Sequence, residues 1–345
     1  MSNEITIDIR ACKPGMQVSE EIINNFGAIL VHKYTVLDDY TVNKLINFGI
    51  EKIKVFEEYE PKVENDKAID VVYEEKVNEF KTIIKDIGIG KKLDTLKVQK
   101  IVTDLSENFT SINDIITNLK ANRSIDEYTY SHSLNVSLLC SLIGNWLGLN
   151  PSQKRTLAYC GLLHDIGKSK IPHEILYKPG PLTPSEFEEM KKHSVMGYKI
   201  LEGNIAINKD ILLAVLMHHE REDGSGYPFG LKGNKISFYA KITAIADVFD
   251  AMTSDRVYRK KQTCFDVFEM FESEYLTKCD ANILLTFLSR VASYYIGSNV
   301  KLSDGSYGEI VFINHKAISK PIVRLEDSRI VDLSMEKGLV IEEVF

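Results

Sequence analysis

Six of the eight histidines in this 345-residue chain fall between residues 132 and 219, and five of those six lie on segments with helical apolar spacing. His132 shares a helical face with Val136 and Leu139, and His218 continues the stripe that contains Val215. Burying an imidazole costs free energy unless it finds a partner. A single such histidine is more often a hydrogen-bonded core residue than a ligand, but several at once are hard to satisfy without a metal. The chain must therefore fold so that several helices direct these side chains to one place.

Carboxylates accompany these histidines. Asp165 directly follows His164, His218 and His219 are adjacent, and Asp247 lies among small residues on a later helical segment. Adjacent donors of this kind suit two metals that share one site, and histidine with aspartate suits divalent iron, manganese or related ions. No cysteine accompanies them, which argues against a structural zinc site. The pattern therefore predicts a catalytic metal centre.

A lysine lies close to this cluster in the sequence. Lys168 is three residues beyond Asp165 and follows Gly167, where the backbone can turn into the site. Its ammonium group would stabilise negative charge that develops on a phosphoryl oxygen. The alternative is a solvated surface lysine, which is the commoner state for this residue type.

Composition narrows the partners and the compartment. The net charge of −7 gives no overall basic surface for a nucleic acid polymer or an anionic membrane. No uncharged apolar run reaches 18 residues, and the first 25 residues hold no apolar signal region. The five cysteines form no CxxC pair and are odd in number, which fits a reducing environment. We expect a cytoplasmic protein without a membrane or nucleic acid partner.

The apolar spacing divides the chain into four parts. Residues 1–60 hold short β-like runs around one helix and predict a small α+β module, and residues 61–124 predict a helical connector. Residues 125–296 are helical almost throughout, whereas residues 297–345 hold short β-branched runs typical of a small antiparallel sheet or barrel. The predicted fold is mainly α, a helical bundle flanked by two small modules that contain strands.

Three motifs carry a family resemblance. The run His164-Asp165-Ile166-Gly167-Lys168 resembles the signature of HD-superfamily phosphohydrolases. Residues 218–228, HHEREDGSGYP, resemble the extended motif of the HD-GYP subgroup, as do residues 246–259. A bare His-Asp pair would be weak evidence, but the whole series is specific. Over residues 125–290 the chain is identified as a member of the HD-GYP family of cyclic di-GMP phosphodiesterases.

The resemblance implies a set of metal ligands, with Asp165 bridging two metals. The implied ligands are His132, His164, Asp165, His193, His218, His219 and Asp247. Some family members hold a third metal with a glutamate one helical turn before the first histidine, where this chain has Tyr128. We therefore expect two divalent cations, iron or manganese.

The resemblance also implies a reaction and its substrate. The expected reaction is hydrolysis of cyclic di-GMP to pGpG, and in some members to GMP, by attack of a metal-bridging hydroxide with Asp165 and Lys168 as catalytic residues. The residues that align with substrate contacts are Lys168, Asp250, Arg256, Arg259 and Lys260. For Arg259 and Lys260 an ion-pair network at a helix end is an alternative.

The loop Gly226-Tyr227-Pro228 has more than one interpretation. Gly224 and Gly226 allow backbone conformations that other residues avoid, and Pro228 fixes the exit of the loop. Such a loop would shape the pocket or dock partner proteins, or it only links two helices. The flanking modules are further candidates for partner binding, and a homodimer is compatible with the resemblance.

Three other functions compete with cyclic di-GMP hydrolysis. One is a different nucleotide phosphohydrolase of the HD superfamily, which the intact Gly-Tyr-Pro run disfavours. Another is an HD-GYP enzyme for a different cyclic dinucleotide, such as cyclic GMP-AMP. The third is a non-catalytic or slow receptor that binds the dinucleotide and signals through partners. Retention of all seven implied ligands and of Lys168 favours catalysis.

Overall fold

The computed structural model describes residues 4–57, 69–109, 111–119, 125–253 and 263–345, without the side chains of residues 125–128. Helices dominate these ranges, and strands occur only towards the two ends. The predicted mainly α architecture is confirmed. None of the described helices has both the length and the apolar character needed for a membrane span.

The N-terminal region pairs strands that are distant in sequence. Strand β1 (Glu4–Asp8) runs antiparallel to β4 (Lys52–Phe56), and β2 (Ile22–Ile23) pairs with β3 (Ile29–Val31). Helix α1 (Asp39–Asn47) lies between β3 and β4 in the chain. The α+β character expected for this region is observed, although the two-residue strand β2 gives no alternating pattern from which it could be predicted.

Three helices connect this region to the bundle. They are α2 (Ile69–Gly88), α3 (Thr95–Asn108) and α4 (Ile112–Leu119). Helix α2 buries Tyr73, Phe80 and other apolar residues at helical spacing along one face. That face packs against the helices of the bundle, so α2 is part of the structure around the site rather than a free linker.

The bundle is built from nine described helices. They are α5 (Ile125–Trp146), α6 (Pro151–Leu163), α7 (His173–Leu176), α8 (Pro184–Lys191), α9 (His193–Leu201), α10 (Lys209–Met217), α11 (Phe238–Thr253), α12 (Cys264–Met270) and α13 (Ala281–Tyr294). A capping box at Thr183 begins α8, and Asn150 caps α6 in the same way. Both helices carry proline at the first position, where its missing N–H is not needed.

Close helix contacts hold the centre of the bundle together. Helix α5 packs along α6, and α11 packs against α5, α6 and α10. At Gly161 a Cβ atom would lie 2.6 Å from the Cα of Ser137, so only glycine lets these two backbones approach this closely. The helical segments that carry the histidines are thereby brought near one another.

The C-terminal region forms one antiparallel sheet. Its strands are β5 (Asn299–Leu302), β6 (Tyr307–Asn314), β7 (Ala317–Leu325), β8 (Ile330–Asp332) and β9 (Ile341–Val344), in the spatial order β8-β7-β6-β5-β9. The sheet is tied to a π-helical segment after α12, because the Glu272 carboxylate accepts hydrogen bonds from the backbone of Ile318 and Ser319. The predicted antiparallel sheet is confirmed.

Candidate metal centre

The seven candidate ligands come from five different helices and meet at one point. They are His132 on α5, His164 and Asp165 at the end of α6, His193 at the start of α9, His218 and His219 just after α10, and Asp247 on α11. His164 and His218 are fully buried, and Asp165 is 6% exposed. The sequence placed these residues on apolar faces, and the structure places those faces around a common centre.

One group of donors surrounds a single oxygen of Asp165. The Oδ2 atom of Asp165 lies 3.2 Å from His164 Nε2 and 3.7 Å from His132 Nε2. The Oδ1 atom of Asp247 lies 3.1 Å from the same His132 nitrogen. His132, His164 and Asp165 can therefore offer three ligand atoms to one cation.

A second group faces the other oxygen of the same carboxylate. The Oδ1 atom of Asp165 lies 3.4 Å from His193 Nε2 and 3.9 Å from His218 Nε2. His219 completes this group, with ligand atoms of all four residues within 4.8 Å of one another. Asp165 thus belongs to both groups through different oxygens, which is the geometry a bridging carboxylate needs.

Backbone carbonyls orient three of the imidazoles. The Nδ1 atoms of His164, His193 and His218 donate to the carbonyl oxygens of Gly161, Met190 and Val215 at 2.7, 2.8 and 2.8 Å. Because a carbonyl oxygen only accepts, Nδ1 must carry the proton in each ring. The Nε2 lone pairs are therefore directed into the cluster, as in metal-binding histidines.

Two buried atoms at the centre are left without partners. His164 Nε2 and Asp165 Oδ1 are inaccessible to solvent and form no hydrogen bond with any described residue. A buried acceptor without a partner destabilises the fold by about 1–3 kcal/mol. A divalent cation would satisfy both atoms, so the donor set fits the metal that the resemblance implies.

Burial and local charge set the protonation states needed for metal binding. Burial lowers the pKa of His193 and lowers that of His218 to about 3. Burial alone would raise the pKa of Asp165, but the neighbouring His164 and Lys168 outweigh it and hold that pKa well below its usual range. His193 and His218 are therefore neutral and Asp165 is ionised, which are the forms that coordinate a cation.

Lys168 lies beside this carboxylate, as its spacing predicts. Its Nζ atom is 2.5 Å from Asp165 Oδ2, and its side chain is 27% exposed. The lysine belongs to the 3-10 turn Ile166–Lys170, which packs closely on α9: a Cβ on Gly167 would lie 1.9 Å from the carbonyl oxygen of His193. The side chain of Lys168 is therefore partly buried against Asp165 rather than fully solvated.

A cavity of about 250 Å³ opens beside Asp165 and Lys168. Part of its apolar and aromatic wall comes from α2. Another part comes from α7 and from Tyr177, which directly follows that helix. The lining residues include Phe80, Ile84, Tyr130, His173, Leu176 and Tyr177. His173 lies in this wall, next to the ring of Tyr177, and is absent from both donor groups. A planar, partly apolar ligand could bind here next to the cationic ammonium group.

The structure corrects the expected position of Asp250. We expected this residue to contact substrate, but its side chain is 0% exposed and lies behind His132. The two carboxylate oxygens accept from His132 Nδ1 at 2.6 Å and from Asn135 Nδ2 at 2.8 Å. Asp250 therefore contacts a metal-ligand candidate instead of the cavity. Arg256, Arg259 and Lys260 lie outside the described residues, and so does the side chain of Tyr128.

The Gly-Tyr-Pro loop packs onto the second donor group. The ring of Tyr227 stacks on His219 at a centroid distance of 4.5 Å. A Cβ on Gly226 would lie 2.4 Å from the His219 carbonyl oxygen, so this position requires glycine. The buried carboxylate of Glu220 accepts from the backbone N–H groups of Phe229 and Leu231 and so holds the end of the loop. The loop does more than link two helices, because it covers His219.

Sequence reasoning missed three residues around the site. Glu220 gave no signal beyond its place in the motif. Asn135 lies one helical turn after His132 on the same face of α5, so its spacing would have indicated it. Tyr73 lies about 60 residues earlier and is brought in only by the packing of α2.

The chain is similar in sequence to several known proteins. An HD-domain family model matches residues 112–283. A cyclic di-GMP phosphodiesterase of Pseudomonas aeruginosa is 32% identical over 244 residues, covering 71% of this chain and 59% of that protein. A cyclic di-GMP phosphodiesterase of Thermotoga maritima is 38% identical over 192 residues, covering 54% and 51%. A 3′3′-cGAMP-specific phosphodiesterase of Vibrio cholerae is 35% identical over 191 residues, covering 55% and 43%.

The match in each of these relatives spans roughly half of the relative's own length, between 43% and 59%. Among solved structures, an HDG"Y"P protein from Bdellovibrio bacteriovorus covers 83% of this chain and 98% of its own, with a TM-score of 0.54 at 12% identity, which shows a shared fold. The chain therefore belongs to the HD-domain family.

Proposed function

We propose that this protein is a metal-dependent phosphodiesterase that hydrolyses cyclic di-GMP to linear pGpG. The observation that carries the proposal is the carboxylate of Asp165, which faces two groups of imidazoles with its two oxygens and contacts Lys168. Two cations around one carboxylate, with a lysine beside them, suit an in-line displacement at phosphorus. Relatives that are named cyclic di-GMP phosphodiesterases support the same reaction class.

The two donor groups would each hold one divalent cation. His132, His164 and Asp165 would bind one, with Asp247 next to it, and Asp165, His193, His218 and His219 would bind the other. Bound there, the cations would supply Lewis acidity and lower the pKa of coordinated water.

The chain's own residues would bind and shield the reacting phosphate. In the reaction, water adds to phosphorus, the P–O3′ bond breaks, and the released 3′ oxygen takes up a proton. The ammonium group of Lys168 would neutralise charge on a non-bridging phosphate oxygen. Tyr227, stacked on His219, would keep bulk water from the second group.

The cavity beside Lys168 would take one base of the dinucleotide. Tyr177 and His173 offer ring faces at its wall, and Phe80 and Ile84 offer apolar contact. Purine bases stack on such side chains with about 1–3 kcal/mol per base. The phosphate attached to that base would then lie next to Lys168.

A second candidate substrate is 3′3′-cGAMP. The relative from Vibrio cholerae is named as specific for that dinucleotide and is 35% identical to this chain. The two substrates differ only in the edge of one base, so a cavity that binds by stacking would admit both. The receptor hypothesis needs a site that binds without turnover, and the complete donor set disfavours it.

The decisive experiment is a hydrolysis assay on the full chain, prepared anaerobically with Fe(II) and separately with Mn(II). Both cyclic dinucleotides are offered, the products are separated by chromatography, and bound metal is counted. We expect linear pGpG from cyclic di-GMP with about two metals per chain. Metal binding and dinucleotide retention without any turnover would instead make the protein a receptor.

The double variant His164→Ala with Asp165→Ala tests the assignment of the site. It removes the shared carboxylate and one imidazole, so metal binding and hydrolysis should both be lost while helical content by circular dichroism is retained. The matched control is His315→Ala with Asp327→Ala, which changes two exposed residues in separate turns of the C-terminal sheet. Full activity in the first variant would contradict the proposal.

A further inference from the structure

A line of buried hydrogen bonds runs from helix α2 to a metal-ligand candidate. The hydroxyl of Tyr73 donates to Asn135 Oδ1 at 2.6 Å, and Asn135 Nδ2 donates to Asp250 Oδ1 at 2.8 Å. Asp250 Oδ2 lies 2.6 Å from His132 Nδ1. Tyr73 and Asp250 are 0% exposed and Asn135 is 2% exposed, so water does not compete for these bonds.

Hydrogen-bond valence fixes the direction of each step. The carboxylate of Asp250 only accepts, so the His132 ring carries its proton on Nδ1 and directs the Nε2 lone pair towards Asp165 and Asp247. The amide of Asn135 must present its NH₂ group to Asp250, which leaves its oxygen facing Tyr73. The tyrosine hydroxyl supplies the hydrogen for that oxygen, and Ser131 O is its other acceptor at 3.0 Å.

This tyrosine lies outside the residues that the HD-domain model matches. The match covers residues 112–283, whereas Tyr73 lies on α2. The same helix is also tied to the turn that carries Lys168, because Lys170 Nζ donates to the carbonyl oxygens of Ile87 and Gly88 at 2.6 and 3.3 Å. Helix α2 is thus hydrogen-bonded both to Asn135, behind His132, and to the turn that carries Lys168.

We propose that Tyr73 is a positioning residue of the metal centre. Through Asn135 and Asp250 it fixes the orientation and tautomer of His132. It thereby raises the cation affinity of the donor group formed by His132, His164 and Asp165. The inference rests on the metal-binding part of the proposed function and not on the identity of the substrate. Partners behind a ligating histidine typically change metal affinity 10–100-fold. A residue two bonds further away should have a smaller effect, which we expect to be about 3–10-fold.

The test uses Tyr73→Phe in the full chain, with Mn(II) alone as the probe. The substitution removes one oxygen and keeps the buried ring and its edge contact with Phe109. Mn(II) affinity is measured by competition with a chelator, without any substrate. The Mn(II) affinity of one of the two metal sites should fall about 3–10-fold, while that of the other site should be unchanged. Equal affinities in both proteins would overturn the proposal.

A matched control separates positioning from general destabilisation. Tyr295→Phe removes another buried tyrosine hydroxyl, beyond the end of α13 and away from the metal centre. It should lower the melting temperature as much as Tyr73→Phe does but leave Mn(II) affinity unchanged. If both variants weaken Mn(II) binding alike, Tyr73 acts only through overall stability and the proposal is wrong.

A double-mutant cycle tests the route through Asp250. Asp250→Asn should weaken Mn(II) binding about 10–100-fold, since an amide has a single acceptor oxygen and cannot accept from both His132 Nδ1 and Asn135 Nδ2. If Tyr73 acts through Asp250, adding Tyr73→Phe to Asp250→Asn should change the affinity no further. Additive losses would contradict the route. Neither result depends on hydrolysis, so the proposal can stand or fail independently of the substrate assignment.

Discussion

At the residue scale, the centre gathers groups that destabilise one another when no metal is bound. Asp165 and Asp247 are nearly buried carboxylates, and four of the surrounding imidazoles offer Nε2 atoms to the same small volume. Buried donors and acceptors are normally paired in folded proteins. His164 Nε2 and Asp165 Oδ1 depart from that rule, and a pair of such atoms at one point is the residue-level signature of a metal site.

Lys168→Met should separate binding of metal from turnover. The change keeps most of the apolar stem and removes the charge that contacts Asp165. We expect turnover to fall about 100-fold or more, by analogy with the loss of one preorganised donor to a developing oxyanion. Metal content should be unchanged, because lysine carries no lone pair for a cation at neutral pH. The measurement is kcat together with the metal count.

The control for this variant is Lys209→Met, an exposed lysine at the start of α10. It removes one positive charge, as Lys168→Met does, and should leave kcat within about twofold, because an exposed charge away from the site interacts weakly. A similar fall in both variants would mean that the effect comes from overall charge and not from the position of Lys168.

At the element scale, the site depends on how closely the turn Ile166–Lys170 packs on α9. Gly167 and Gly197 face one another, and the backbone nitrogen of Gly197 would lie 2.5 Å from a Cβ at residue 167. This contact brings Asp165 and Lys168 to His193. Helix α2 holds the same turn from the other side through Lys170.

Gly167→Ala should push the turn and α9 apart. The added methyl group would overlap backbone atoms, which cannot move independently, so we expect a loss of about 2 kcal/mol or more in the free energy of unfolding. Metal binding by His193 should weaken in parallel. Denaturant unfolding and a metal count measure the two effects.

Gly88→Ala is the matched control at the end of α2. A Cβ there would make an ordinary contact of 3.8 Å with Ser169 O, and alanine is favoured over glycine in a helix. The Gly88→Ala variant should be as stable as the wild-type protein or slightly more stable. A large loss at residue 88 and none at residue 167 would show that the close packing at Gly167 is not what holds the site together.

At the scale of the whole molecule, the metal centre joins segments that are far apart in the chain. Its ligands extend from His132 to Asp247, and the helices that carry them pack around one hydrophobic core. The N-terminal region is attached to the bundle by Lys44, which donates to the carbonyl oxygens of Ser293 and Tyr294 at 3.0 Å each. We therefore expect loss of the cations to lower the stability of the whole bundle.

Removal of metal should lower the melting temperature. A cation at 100 times its dissociation constant stabilises the folded state by about 2.7 kcal/mol per site. For a domain of this size we expect a decrease of about 3 °C or more on chelation, reversed by Mn(II). The variant His164→Ala with Asp165→Ala should not respond to the chelator. An equal response in that variant would place the stabilising cation elsewhere.

The sequence was sufficient to identify the family but not the role of every residue. The HD and Gly-Tyr-Pro motifs indicated the family, which is confirmed, and the apolar faces indicated that the histidines turn inward. The same motif series suggested that Asp250 contacts substrate, whereas the structure places it behind His132. The count of two metals, their identity, the domain boundaries, the homodimer and the cytoplasmic location stay predictions.

What the sequence determined by itself is local: the period of apolar residues and the adjacency of His164 to Asp165. These follow from interactions within a few residues of each other, so they can be read along the chain. Only the tertiary structure decided that Asp165 lies between two groups of imidazoles and that Tyr73 lies behind Asn135. The physical reason is that helices meet through the packing of whole faces, and the spacing within one helix does not specify which face of another helix it will contact.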